Sequence, residues 1–165
     1  MRNIRIMYQY DGSKYYGFQR QKNKDTVQGD IEKIVFSKFN EKINMTSSGR
    51  TDRGVHALGQ VSNFSISKRI PLDAIKQQIN KTLRGKVKIL SIEEIHADFN
   101  ARFDAKRRTY LYVLKNESKI TPFEAPYVTS IKEEIDIDKL QLIFQPLTGV
   151  HDFSSFAKKD EAMRN

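Results

Sequence analysis

Residues 2–10, RNIRIMYQY, alternate: Ile4, Ile6, Tyr8 and Tyr10 fall on one face, with Arg5 and Gln9 on the other. A period of two over nine residues specifies a strand, because successive side chains of a strand point to opposite sides. One face of that strand is apolar and has to be covered by a second layer. No other stretch restricts the fold as much. Asp11-Gly12-Ser13 then ends the alternation.

The following segments supply the layer. Within residues 26–40, Val27, Ile31, Ile34, Val35 and Phe39 recur at helical spacing behind Asp25 or Thr26 as the N-cap. A short strand is expected around 43–48, and a longer one over 59–66, GQVSNFSI. Pro71 stands where a second helix would begin, and Leu72, Ile75, Ile79 and Leu83 form its stripe up to Gly85. Residues 86–95, KVKILSIEEI, return to strand. The order is β-α-β-β-α-β. That is the ferredoxin-like pattern of an α+β fold, an antiparallel sheet with two helices on one face. It occupies a first unit, residues 1–97.

A second, incomplete unit is expected over 98–165. Residues 106–115, KRRTYLYVLK, are predicted as a strand, with Thr109, Leu111 and Val113 on one face and Tyr110, Tyr112 and Leu114 on the other. After a loop containing Pro122 and Pro126, residues 136–145 are predicted as a helix with Ile137, Leu140, Ile143 and Phe144 on its apolar face. Gly149-Val150-His151-Asp152-Phe153 and a polar tail, KKDEAMRN, follow. The strands that would complete a second sheet are missing from this stretch.

Composition narrows the function. Ten Phe and seven Tyr argue against disorder, although 30% of the residues are charged. With no cysteine, a disulfide framework and a thiolate zinc site are excluded. No apolar run approaches the roughly 20 residues that cross a bilayer. The alternating N-terminus does not resemble a targeting segment, so the expected compartment is the cytoplasm. The net charge of +9 points to a polyanionic partner, nucleic acid ahead of a membrane surface. Basic side chains gather in residues 1–24 (Arg2, Arg5, Lys14, Arg20, Lys22, Lys24) and in 98–115 (Arg102, Lys106, Arg107, Arg108, Lys115). His56, His96 and His151 are scattered, so no shared metal site is expected.

Chemistry is densest in residues 47–57, SSGRTDRGVHA. Gly49 and Gly54 bracket Arg50, Asp52 and Arg53. Glycines permit a tight loop, and guanidinium groups fork onto phosphate. A carboxylate held beside two arginines should stay ionised, as a carboxylate nucleophile must. The same residues also describe a charged turn in which Arg50 and Asp52 pair at the surface.

The loop resembles the signature loop of the tRNA pseudouridine synthase A family. YDGSKYYGFQRQ (10–21) is similar to the family's opening strand and glycine-aromatic loop, and TVQGDIEKIV (26–35) to its first helix. FNARFDAKRRTYLY (99–112) resembles the segment with the active-site tyrosine, and GVHDFSSF (149–156) a later block. The resemblance implies isomerisation of uridine in tRNA to pseudouridine, with the N1–C1′ bond replaced by a C5–C1′ bond and no cofactor or metal. Asp52 is then the catalytic carboxylate. Arg50 enters the base stack and fills the gap left by the flipped nucleotide, and Tyr110 stacks on the target uracil. Arg53, His56, Phe18 and Gln19 join the substrate-binding set. By residue type alone, Phe18 also fits a core position, and His56 a buried, satisfied histidine. The resemblance further implies the anticodon stem-loop around positions 38–40 as target, and a homodimer. Family members run to roughly one and a half times this length. Their later part closes the cleft and supplies a basic partner for the aspartate, a role no residue here takes. A truncated product, a fragment or a split protein is therefore expected, with weak or no activity and an exposed sheet edge.

Overall fold

The computed structural model describes residues 1–156, so the polar tail at 158–165 lies outside the described residues. β1 (Arg2–Tyr10) buries Ile4, Ile6, Tyr8 and Tyr10, the face that alternation marked. Three further strands build on it: β2 (Thr46–Ser47), β3 (Ala57–Ile66) and β4 (Val87–Ile95). The sheet order is β2-β3-β1-β4, antiparallel throughout. Register aligns the buried faces: Ile4 lies opposite Phe64, Tyr8 opposite Ile89 and Tyr10 opposite Val87.

Two helices cover that face. α1 (Val27–Phe39) starts at Thr26, whose hydroxyl accepts the Gly29 N–H at 3.2 Å. It ends at Asn40 in the left-handed region, at φ 51°, a conformation asparagine tolerates better than most residues. α2 (Leu72–Thr82) buries Ile75 and Ile79. Pro71 is its N-cap, so the helix starts one residue later than the sequence pattern suggested. Val27, Ile31, Val35, Ile75 and Ile79 are each at most 1% exposed. Such burial is worth about 1.5–3 kcal/mol for each large aliphatic side chain.

β2 is shorter than expected. Ile43 and Met45 are buried, but the Met45 N–H donates to Glu32 Oε1 at 3.0 Å instead of to a strand neighbour. The helix-free face of the sheet is crossed by residues 96–101, pinned by two asparagines. Asn3 Nδ2 donates to the carbonyls of His96, Ala97 and Phe99, at 2.9–3.3 Å. Asn63 donates to Asn3 Oδ1 and to the Phe99 carbonyl, and accepts the Ala101 N–H at 2.9 Å.

The second unit departs from expectation at its strand. Only β5 (Leu114–Asn116) is regular, paired in parallel with β6 (Thr129–Ile131). Residues 106–113 form no ladder among the described residues, only a single bond from the Thr129 N–H to the Val113 carbonyl at 2.8 Å, and a strand is stable only within a ladder. Tyr110, Leu111 and Tyr112, apolar on both sides, stay about three-quarters exposed. Arg108 instead ties the segment down, donating to the carbonyls of Ser48 at 2.8 Å and Arg102 at 3.3 Å. α3 (Ile137–Phe144) forms as expected behind Asp136, whose side chain accepts the Lys139 N–H. Its Ile137, Leu142, Ile143 and Phe144 are exposed.

Candidate active site

The loop between β2 and β3 carries Arg50, Asp52 and Arg53, and it is anchored from beneath. Gln60, buried on β3, donates to the Gly49 carbonyl at 2.9 Å and accepts the Ser48 hydroxyl at 2.7 Å. The Tyr10 hydroxyl, at the end of β1, meets Thr51 Oγ1 at 2.8 Å. Burial pushes the Tyr10 phenol up, so the anchor stays protonated at neutral pH. The glycine-aromatic turn after β1 supplies the rest. Phe18 N–H donates to the Thr51 carbonyl at 3.0 Å. Gly12 lies so close to the Val55 carbonyl that an added Cβ would collide with it. Gly17 sits against the Thr51–Arg53 backbone with φ +115°, a conformation that glycine alone adopts without strain.

The inward-facing anchors turn the charged side chains out. Arg50, Asp52 and Arg53 are all exposed. Among the described residues, no ion pair joins Asp52 to either arginine. The Arg50–Asp52 surface pair that the spacing also allowed is therefore not formed among them. The Arg53 guanidinium lies over the Tyr16 ring, 4.8 Å from its centroid, and Lys24 Nζ lies 5.3 Å from the same ring. Tyr16 is 48% exposed, and its place in the sequence gives no hint of this contact.

Beside the loop is a polar cleft of about 330 Å³, lined by Phe18, Gln19, Arg20, Asn44, Ser47, Arg50 and Arg102, among others. Behind three of its lining residues lies a buried carboxylate, Glu32, which accepts from Gln28 Nε2 (2.9 Å), Met45 N–H (3.0 Å) and Arg20 (2.9 Å). Arg20 is thereby neutralised. Arg50 and Arg102 have no ionic partner among the described residues, which leaves the mouth cationic. Phe18 is 2% exposed, packing in the core while forming one wall, whereas Gln19 is exposed at the rim.

The remaining candidates scatter. Tyr110 is 74% exposed, lies outside the cleft lining, and makes no side-chain hydrogen bond among the described residues. His56 is half-buried, with its ring nitrogens near the Gly12 N–H (3.2 Å) and the Pro126 carbonyl (2.9 Å). His151 and Asp152 make local contacts: Nε2 with the Thr148 carbonyl at 2.7 Å, and Oδ1 with the Ser154 N–H at 2.8 Å. No group of three His, Cys, Asp or Glu side chains that could hold a metal occurs among the described residues. No helix among them is long and apolar enough to cross a membrane. The anchors Gln60 and Tyr10 escape a reading of the sequence for site residues.

The model of the family described as tRNA pseudouridine synthase matches residues 6–104, which span β1 through the segment that crosses the sheet. The chain belongs to the tRNA pseudouridine synthase family. Curated relatives named tRNA pseudouridine synthase A agree with the match. The Caldicellulosiruptor bescii protein is 39% identical over 97% of this chain and 66% of its own length. Those of Borrelia turicatae and Solibacter usitatus are 40% identical, over 95% and 97% of this chain and 64% and 67% of their own lengths. The chain thus spans about two-thirds of these synthases' length. The synthase family match covers the whole anchored loop, the cleft residues and Arg102, and stops short of Tyr110.

Proposed function

We propose that this chain carries the catalytic half-site of a tRNA pseudouridine synthase, an isomerase, with Asp52 as its reacting carboxylate. The observation that carries this reading is the presentation of Asp52. It stands exposed between two arginines, on a loop whose backbone is fixed at Gly49, Thr51 and Val55 by β1, β3 and the 11–18 turn. Holding a reacting group at a fixed place, with its own side chain unengaged, lowers the entropic cost of reaching the transition state.

In this mechanism the target uridine is flipped out of the RNA, at a cost of a few kcal/mol. Arg50 fills the vacated space, its planar guanidinium stacking where Lys would not. Asp52 then either attacks C1′ of the ribose or assists departure of uracil to a glycal. In both routes the N1–C1′ bond breaks, the uracil turns, and C5 bonds to C1′. The proton on C5 is lost to solvent while N1 gains one, so atoms balance without redox change. Tyr110 stacks on the uracil, while Arg53, Gln19 and the Phe18 wall contact the RNA around it. Arg102, at the mouth of the cleft, receives backbone phosphate. The substrate is tRNA at the anticodon stem-loop around positions 38–40, the working form a homodimer, and the compartment the cytoplasm.

A second reading, an RNA-binding module without chemistry, draws on one observation: Tyr110 stands exposed and apart from the cleft lining. Tritium at uridine C5 of a tRNA transcript separates the two, because forming the C5–C1′ bond releases it. Release by the wild-type protein at its native length that is lost in Asp52→Ala supports the isomerase. Tight tRNA binding by that protein with no release supports the module.

A further inference from the structure

His56 joins three segments that are distant in sequence. Its Nδ1 accepts the Gly12 N–H at 3.2 Å, and its Nε2 lies 2.9 Å from the Pro126 carbonyl oxygen. A backbone N–H only donates and a carbonyl only accepts. Nε2 therefore carries the hydrogen of the Pro126 contact, and Nδ1 sits between the Gly12 N–H and the Asp11 carboxylate.

The surroundings hold the ring in place. Asp11 Oδ1 lies 3.2 Å from Nδ1, and Asp11 Oδ2 accepts the Tyr127 hydroxyl at 3.3 Å. The His56 and Tyr127 rings stand 5.0 Å apart. Asp11 is fixed in turn by the Ser13 N–H at 3.0 Å and the Ser13 hydroxyl at 2.6 Å. Gly12 cannot retreat without moving Val55, whose carbonyl it abuts. On the far side, Pro126 and Tyr127 belong to a turn closed by the Tyr127 N–H on the Glu124 carbonyl at 2.8 Å. A continuous path of contacts therefore runs from the second unit, through His56 and Gly12, to the backbone at 52–55.

We propose that His56 is a positioning residue that clamps the Asp52 loop to the 124–127 turn, so that both units hold the aspartate in place. Its catalytic consequence rests on the reading of Asp52 as the reacting carboxylate; the clamp itself does not. It assigns a purpose to the histidine of the loop and to the otherwise unexplained aromatic at 127.

Amide hydrogen exchange on the 165-residue chain tests it, with His56→Ala, Tyr127→Ala and the double variant. Either single change should speed exchange at Gly12, Val55 and Tyr127 by about tenfold, the effect of losing one coupled hydrogen bond. The double variant should add little to either, as expected for residues acting in one network. Sheet amides at Ile6 and Phe64 should not change. If Tyr127→Ala leaves Gly12 and Val55 as in the wild type, or if the two changes simply add, the clamp is overturned. Should His56→Ala loosen the sheet as well, Tyr127→Ala carries the test, since its side chain is half exposed. In the tritium-release assay, Tyr127→Ala should lower kcat and leave KM unchanged, whereas a loss confined to KM contradicts positioning. Absence of release from the wild-type protein at its native length counts against the isomerase and leaves the exchange data to decide the clamp.

Discussion

Single atoms decide how the Asp52 loop is held. At Gly12 the Cβ of any other residue would strike the Val55 carbonyl, which is backbone and cannot swing aside. Gly12→Ala should therefore cost about 1–3 kcal/mol, the usual penalty of overpacking, measured by urea denaturation. Gly49, at the start of the same loop, has nothing within 4 Å of the place a methyl group would take, and no positive φ. Gly49→Ala should accordingly change stability by less than about 0.5 kcal/mol in the same measurement, as for an ordinary surface change. Equal effects at the two glycines would contradict the packing of the 11–18 turn against the loop. The same scale explains what sequence could reveal of the site. Arg50, Asp52 and Arg53 were legible because charged residues between glycines are conspicuous. Gln60 and Tyr10 were not, because a glutamine or a tyrosine in an alternating strand looks like any other. Their importance arises from which loop happens to lie above them.

At the scale of elements, the first unit was readable because its period switches cleanly from 2 to 3.6 and back. β1, α1, α2 and β4 appeared within about two residues of their expected bounds. The 106–113 segment was not readable in the same way, because alternation shows that a strand is possible but does not supply a partner. What replaces the ladder is side-chain pinning. Asn63 holds the crossing segment 96–101 by bonds to Asn3, Phe99 and Ala101. Asn63→Ala leaves the buried Asn3 amide and the Ala101 N–H without that partner, a loss of about 1–3 kcal/mol in urea denaturation. The 121–127 turn is held by charge. Glu124 accepts from Lys115 Nζ at 2.7 Å and 2.8 Å and from the Thr121 hydroxyl at 2.8 Å. Lys115 first, and then Thr121, hold its carboxyl down to about 2, from an ordinary 4.5. A carboxyl depressed in the folded state stabilises above its unfolded pKa, and that contribution is lost as protonation proceeds. The turn should thus be intact at pH 5 and loosen progressively between about pH 4.5 and 2, read from the Tyr127 amide. Lys115→Met should move that loosening to higher pH.

For the whole molecule, the +9 charge gains a location. Arg50 and Arg102 converge on one cleft from the loop after β2 and from the segment that crosses the sheet. Binding of an anticodon stem-loop RNA should weaken steeply with salt. Arg102→Ala should flatten the slope of log K against log salt by about 0.7–0.9, one phosphate contact, whereas Arg50→Ala, which removes a stacking group, should weaken binding with a smaller change of slope. An unchanged slope in Arg102→Ala would remove RNA backbone from the cleft.

In the proposed function, Asp52 does chemistry rather than grips RNA. The most direct test measures tritium release from C5-labelled tRNA and tRNA affinity in the same Asp52→Asn protein, a change that keeps the size of the side chain and removes its charge. Release should vanish while Kd stays within about threefold of wild type, since an exposed carboxylate contributes no attraction to phosphate. Release that continues in Asp52→Asn, or that falls only in proportion to lost binding, would contradict the assignment.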